Sequence, residues 1–232
     1  LLRHERRIQQ AVTACKTRRA IKSLALWEMQ NMGDFEKKAA FDWARGCWAD
    51  FDFQAGLSGQ APTVKRKLSD MRGLFLDEDA LEAQIAKEDR VVYEYHALDI
   101  PPTPGDLSFG FSILYPGKIG NEYHFTKGHF HSILDTAEIY SCSRGHGYLL
   151  LESKDGDTRA IEMLPGRIGY VPKGYAHRSI NVSPSEPFVT LFVYRADAGH
   201  DYASIETNGF RKLMVERNGL PALTDNPKWV GR

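Results

Sequence analysis

Apolar positions along the chain follow two rhythms, and the change between them falls near residue 90. Upstream, Ile8, Ala11, Val12, Cys15, Ala20, Leu24 and Leu26 sit among charged residues over 5–31. Phe35, Ala39, Ala40, Trp43, Ala44 and Trp48 recur over 35–48. Proline-free stretches with apolar residues mostly three or four apart predict helices in both places, and 78–89 predicts a further short one. The stretch 54–62, with Gly56, Gly59 and Pro62, reads as a linker. From Val91 the texture becomes short aromatic and β-branched runs. These predict strands at 91–97, 108–115, 122–126, 137–142, 147–152, 159–163, 168–172, 178–182 and 188–195. Pro104-Gly105, Pro116-Gly117, Gly145-His146-Gly147, Asp155-Gly156 and Pro165-Gly166 supply turns between them. Many short strands at close spacing argue for a mainly β domain, an antiparallel sandwich or barrel, rather than βαβ units. The expected organisation is a helical extension over 1–55 and a β domain over 56–232.

Composition narrows the classes. Thirty basic and thirty acidic residues cancel, so no whole-chain field points to nucleic acid or a membrane surface. No apolar run approaches the roughly 20 residues of a spanning helix. Cys15, Cys47 and Cys142 form no CxxC pair and no disulfide framework, which fits a reducing, cytoplasmic setting. One asymmetry remains. Arg3, Arg6, Arg7, Lys16, Arg18, Arg19 and Lys22 face the single acid Glu5 over 1–23. That reads as a solvated helix, an organellar transit peptide, or sequence preceding a start at Met29 or Met32. It does not identify a function.

The candidate chemistry lies in two segments of the β domain. His129 and His131 are two apart, so on a strand they project from one face while Phe130 faces the other. Glu138 follows His131 after six intervening residues. A seven-residue step would place the two on opposite faces of an unbroken strand, so a bend at Leu134-Asp135-Thr136 is required. In the second segment Gly166 and Pro172-Lys173-Gly174 shape a corner. His177 follows, pointing inward, with Asn181 beyond it. Three imidazoles and a carboxylate suit one divalent transition metal with coordination positions left open, and iron, manganese, nickel and zinc all remain eligible.

Both segments resemble cupin motifs, the second in full: Gly166, Pro172, Gly174, His177 and Asn181 at the family spacing. Cupins are double-stranded β-helix (jelly-roll) barrels. The first motif departs by its longer His131–Glu138 interval, where three or four residues are usual. Further runs are similar to the cupin-type glucose-6-phosphate isomerases. They are Tyr115 through Tyr123, Thr126-Lys127-Gly128-His129, Asp135 through Tyr140, Tyr170 through Arg178, Tyr194 through Tyr202, and Asp225 through Trp229. The resemblance covers roughly 60–229 and is dense from 105 to 210, leaving 1–55 outside it.

This resemblance implies interconversion of glucose 6-phosphate and fructose 6-phosphate, a step of glycolysis and gluconeogenesis. It implies metal ligands at His129, His131, Glu138 and His177, with one divalent ion, Fe2+ foremost, per subunit. Thr126 and Gly128 match phosphate-end positions. Ser112, Tyr140, Tyr194 and His200 match other pocket positions, with Ser112 standing where threonine is common. Glu138 and His200 are the candidate catalytic residues. The implied partners are a phosphosugar and a second copy in a homodimer, with neither nucleic acid nor membrane. Two other readings use the same residues: a metal-dependent cupin dioxygenase, and a non-catalytic sugar-binding regulatory cupin.

Overall fold

The computed structural model describes residues 45–230. The helix expected over 5–31 and most of that over 35–48 lie outside the described residues, and 46–48 carry no regular structure. Chain contacts separate residues 1–49 from a unit over 50–232, whose fold is mainly β. Among the described residues no helix is long and apolar enough to cross a membrane.

The unit opens on a turn rather than on the expected linker. Asp52 Oδ1 accepts from the amides of Gln54 (2.8 Å) and Ala55 (3.0 Å), and Asp52 pairs with Leu57. Phe51 packs at 5.1 Å between ring centres against Phe111. Strand β1 (Thr63–Lys67) follows, then a 3-10 turn (Leu68–Met71) and helix α1 (Glu78–Lys87). Asp77 caps α1 by accepting from the Ala80 amide at 2.9 Å. Glu78 and Asp79 in its first turn and Lys87 in its last complement the helix dipole.

Next come β2 (Val91–Ala97), β3 (Leu107–Leu114), β4 (Lys118–Ile119), β5 (Glu122–Tyr123) and β6 (Glu138–Arg144). They are followed by β7 (Gly147–Ser153), β8 (Thr158–Met163), β9 (Ile168–Val171), β10 (Tyr175–Asn181) and β11 (Phe188–Arg195). Helix α2 (Ala203–Asn208) and the hairpin β12 (Lys212–Arg217) and β13 (Leu220–Asp225) close the unit. Strand pairing is antiparallel throughout. One sheet runs β1-β2-β3-β11-β6-β9, a second β10-β7-β8, and a third β13-β12-β5-β4. This is the cupin barrel that the motifs imply.

Period-two alternation sorts the long sheet's faces. Ser112 and Leu114 on β3 point inward, whereas Phe111 and Ile113 point outward and form a small cluster with Val189 beneath Phe51. The main core fills the barrel interior with Leu149, Leu151, Phe125, Phe130, Phe188 and Val171 among others. Asn181, fully buried, ties β10 to the long sheet. Its Nδ2 donates to the carbonyls of Leu114 (2.8 Å) and Glu186 (2.9 Å), and its Oδ1 accepts from the Ser183 amide. That is a structural use for the last residue of the second motif.

Candidate active site

The His129–His131 segment is not a regular strand, although its alternation holds. It runs beside β10 through isolated bridges at Phe125↔Ile180 and His129↔His177, with amide–carbonyl bonds of 3.2 and 3.1 Å exchanged between His129 and His177. Four residue steps on one side match three on the other between those bridges. Residues 126–128 therefore bulge. Gly128 at φ +77° makes the bulge feasible, and a Cβ there would stand 2.7 Å from the Phe210 ring. Arg178 braces it from behind. Its guanidinium lies between the rings of Phe125 (4.1 Å) and Phe210 (4.2 Å) and donates to the Lys127 carbonyl at 2.8 Å.

His177 lies inside β10, which starts at Tyr175 rather than at the expected 178. Between His131 and Glu138 the chain bends, as the seven-residue step requires, but over 132–135 rather than the expected 134–136. His131, Glu138 and His177 are all at least 95 % buried. Candidate donor atoms of His129, His131, Glu138 and His177 lie within 4.8 Å of one another. Glu138 Oε2 is 3.1 Å from His131 Nε2 and 2.9 Å from His177 Nε2.

Hydrogen bonding fixes what the cluster can hold. Thr136 Oγ1 donates to the Ile133 carbonyl at 2.7 Å, so it must accept from His131 Nδ1 at 2.6 Å. With Nδ1 donating to Thr136, Nε2 faces Glu138 Oε2, as a donor when the ring is charged and as a free lone pair for a cation when it is neutral. Nε2 of His129 and both ring nitrogens of His177 are buried without an aligned hydrogen-bond partner, and the Nε2 of His177 is the one that faces Glu138. Lone pairs converging on one point away from water are what a cation requires, and the nitrogen and oxygen donors fit a divalent transition metal.

The same convergence sets the charges. Burial works to raise the Glu138 carboxyl, but the His177 and His131 imidazoles overcome it and hold it at about 2. Burial, reinforced by neighbouring imidazoles, drives His129 well below its ordinary value. Burial also lowers His200. Tyr140 is raised well above the ordinary phenol by burial and then by the Glu138 charge, to which its hydroxyl is hydrogen-bonded.

A cavity of about 290 Å³ opens above the cluster. Its wall takes in all the sequence-derived pocket positions: Ser112, Thr126, Gly128, Tyr140, Tyr194 and His200. His129, Glu138 and His177 also reach it, whereas His131 is not part of the wall. His200 sits 4.3 Å from the His129 ring, 5.3 Å from Tyr194 and 5.8 Å from Tyr202, centre to centre. Thr126 Oγ1 accepts from the Ser179 amide at 3.0 Å, leaving its proton for a ligand. The charge of Lys127 pairs instead with Glu206 at 3.1 Å. Arg66, Tyr93 and Tyr95 on β1 and β2 also line the cavity and were not singled out from the sequence. Alternation within 91–97 carries a signal for the two tyrosines. The basic run Lys65-Arg66-Lys67 carries none for a strand.

Fold and site together define a cupin with a three-histidine, one-carboxylate centre beneath a polar cavity. Residues 65–228 match the model of the glucose-6-phosphate isomerase (GPI) family. Glucose-6-phosphate isomerase of Thermococcus litoralis is 48% identical over 178 residues, 77% of this chain and 93% of that protein. Its counterpart in Pyrococcus furiosus is also 48% identical, over 77% and 94%. The putative glucose-6-phosphate isomerase 1 of Rhizobium meliloti is 38% identical over 79% and 86%. The chain belongs to the glucose-6-phosphate isomerase family.

Proposed function

We infer that this protein is a metal-dependent aldose–ketose isomerase that interconverts glucose 6-phosphate and fructose 6-phosphate. The observation that carries the reading is a buried cluster of four convergent donors below a cavity walled by hydroxyls and a backbone bulge. An open-chain sugar phosphate needs those two chemistries: one for its C1–C2 oxygens and one for its phosphate. A divalent ion held by His129, His131, Glu138 and His177, iron(II) by preference, would supply Lewis-acid stabilisation of charge on the O1/O2 edge.

The chain's own groups divide the remaining work. His200, kept neutral by burial, accepts the proton of the anomeric hydroxyl and returns one to the ring oxygen as the C1–O5 bond breaks, opening the sugar. Thr126 donates its hydroxyl, and the bulge at Gly128 brings backbone close to the phosphate. Ser112, Tyr140 and Tyr194 flank the carbon chain. Glu138, whose Oε2 is committed to the donor cluster within 3.1 Å of the Nε2 atoms of His131 and His177, would be a weak base while holding the ion. That favours a hydride shift: hydrogen moves with its electron pair from C2 to C1, the C2 hydroxyl gives up its proton, and the C1 oxygen gains one.

The exposed outer face of the long sheet, with Ile139, Ile168 and Tyr170, supports a homodimer. A cytoplasmic setting agrees with the buried free thiol of Cys142. The test is to follow carbon-labelled glucose 6-phosphate by NMR with purified protein. Fructose 6-phosphate should accumulate to equilibrium, and its absence with metal-loaded protein would end the reading.

A further inference from the structure

We propose that a second cavity, between the start of α1 and the β4–β5 hairpin, binds a hard divalent cation, calcium before magnesium, on the free carboxylate oxygens of Glu122 and Glu78. This cavity, of about 500 Å³, shares no wall residue with the active-site cavity. Asp77, Glu78, Asp79 and Glu122 line it against a single ammonium, that of Lys228. The two glutamates are held alike. Glu122 Oε2 accepts from the Leu76 amide at 2.9 Å, and Glu78 Oε2 from the Gly73 amide at 3.3 Å. Each amide pins one carboxylate oxygen and leaves the other, Oε1, buried without a hydrogen-bond partner. Glu122 as a whole is 2 % exposed.

An unpartnered carboxylate oxygen shielded from water costs free energy that a cation or a proton recovers. Burial pushes Glu122 up to about 7, and the Glu78 charge adds to the rise against the Leu76 amide, Arg178 and Lys228. Acids in the first turn of α1 answer the helix dipole, which accounts for Asp79 and, as the cap, Asp77. The dipole does not account for Glu122, which comes from β5, or for the free oxygen of Glu78. Lys228 is the competitor for the site. Its Nζ donates to the Phe75 carbonyl at 3.1 Å and stays 4.0 Å from Glu78 Oε1, too far for a hydrogen bond. No histidine or cysteine lines the cavity. Carboxylate oxygens completed by water select calcium or magnesium over a transition metal, and an irregular shell suits calcium.

The test titrates calcium chloride into the whole chain, its histidine centre loaded with manganese, at fixed ionic strength and above the Glu122 titration. Calorimetry and thermal unfolding are the readouts. One equivalent should bind with a Kd on the order of 10⁻⁴–10⁻³ M, the range of calcium sites with few charged ligands, and raise Tm. Glu122→Gln and Glu78→Gln should each weaken binding at least about tenfold, since each removes one of two ligand charges. Lys228→Gln should tighten it, because the competing ammonium is gone. No saturable heat and no Tm shift at about 10 mM calcium, well above that Kd, would overturn the proposal. So would unchanged affinity in either glutamate variant, or weaker binding in Lys228→Gln. Should one glutamate variant not fold, the other and Lys228→Gln decide. Neither readout depends on turnover, so the result stands apart from the isomerase reading.

Discussion

Glu138 and Glu122 are both at least 96 % buried, yet the two carboxyls are driven in opposite directions. Burial pushes Glu122 up to about 7. Its Oε2 accepts only from the Leu76 amide at 2.9 Å, and its Oε1 has no hydrogen-bond partner. The ammonium of Lys228 is engaged with the Phe75 carbonyl at 3.1 Å. At Glu138 two imidazoles stand within 3.1 Å and a third closes the cluster, so the carboxyl is held at about 2 despite the same burial. Depth alone does not make a site. What separates the two is the number of donors that converge on one point, and only the Glu138 cluster is organised to hold a transition metal.

Glutamine substitution at each position sharpens that contrast. Glu138→Gln removes one ligand charge and should lower kcat/KM at least about 10²-fold at stoichiometric metal. Excess metal should restore most of it, and product formed in heavy water should carry little deuterium at C1 or C2. A metal-replete variant still down by about 10²–10⁴ would make Glu138 a general base instead.

Glu122→Gln should act on stability and with the opposite sign. The folded carboxyl titrates near 7 and the unfolded one near 4.5, so folding binds an extra proton between those values. Stability in the wild type is therefore lost as pH rises through that window. Above it the variant should be more stable by about 3 kcal/mol at most, at 1.36 kcal/mol per pKa unit. The gain should vanish below pH 4.5. Calcium-free denaturant titrations at pH 4 and pH 8 measure it, and equal stability of the two proteins at pH 8 would remove the contrast.

A smaller effect is expected at Thr136, which orients His131. Thr136→Val should weaken metal affinity by about 10–100-fold, the usual range for an outer-shell partner. Unchanged affinity in a metal titration would show that the His131 tautomer is fixed by something else.

The Glu138 cluster was legible in the sequence because its ligands follow a spacing rule. His129 and His131 share a face, and the seven-residue step to Glu138 demanded the bend that the chain makes over 132–135. Phosphate-end positions came from the resemblance rather than from periodicity. Long strands such as 91–97 and 188–195 were readable because alternation is sustained. The segment 122–126 shortens to Glu122–Tyr123 because the bulge interrupts its pairing. Strand β1 carries no sequence signal because a basic run has no apolar period, and Arg66 lies within it. Helix α2 is six residues long, too short for an apolar period to show, although Asp201 accepts from the Ser204 amide at its start at 3.2 Å. Burial of a lone carboxyl such as Glu122 leaves no mark on the surrounding sequence.

Metal removal and return tests the central claim most directly. Chelator-stripped protein, verified by elemental analysis, should isomerise glucose 6-phosphate at under about 1% of the loaded rate, since Lewis-acid stabilisation contributes several kcal/mol. Titration with ferrous or manganous ion should restore activity in proportion, with the break at one equivalent per chain. Full turnover by protein shown to be metal-free would contradict the account.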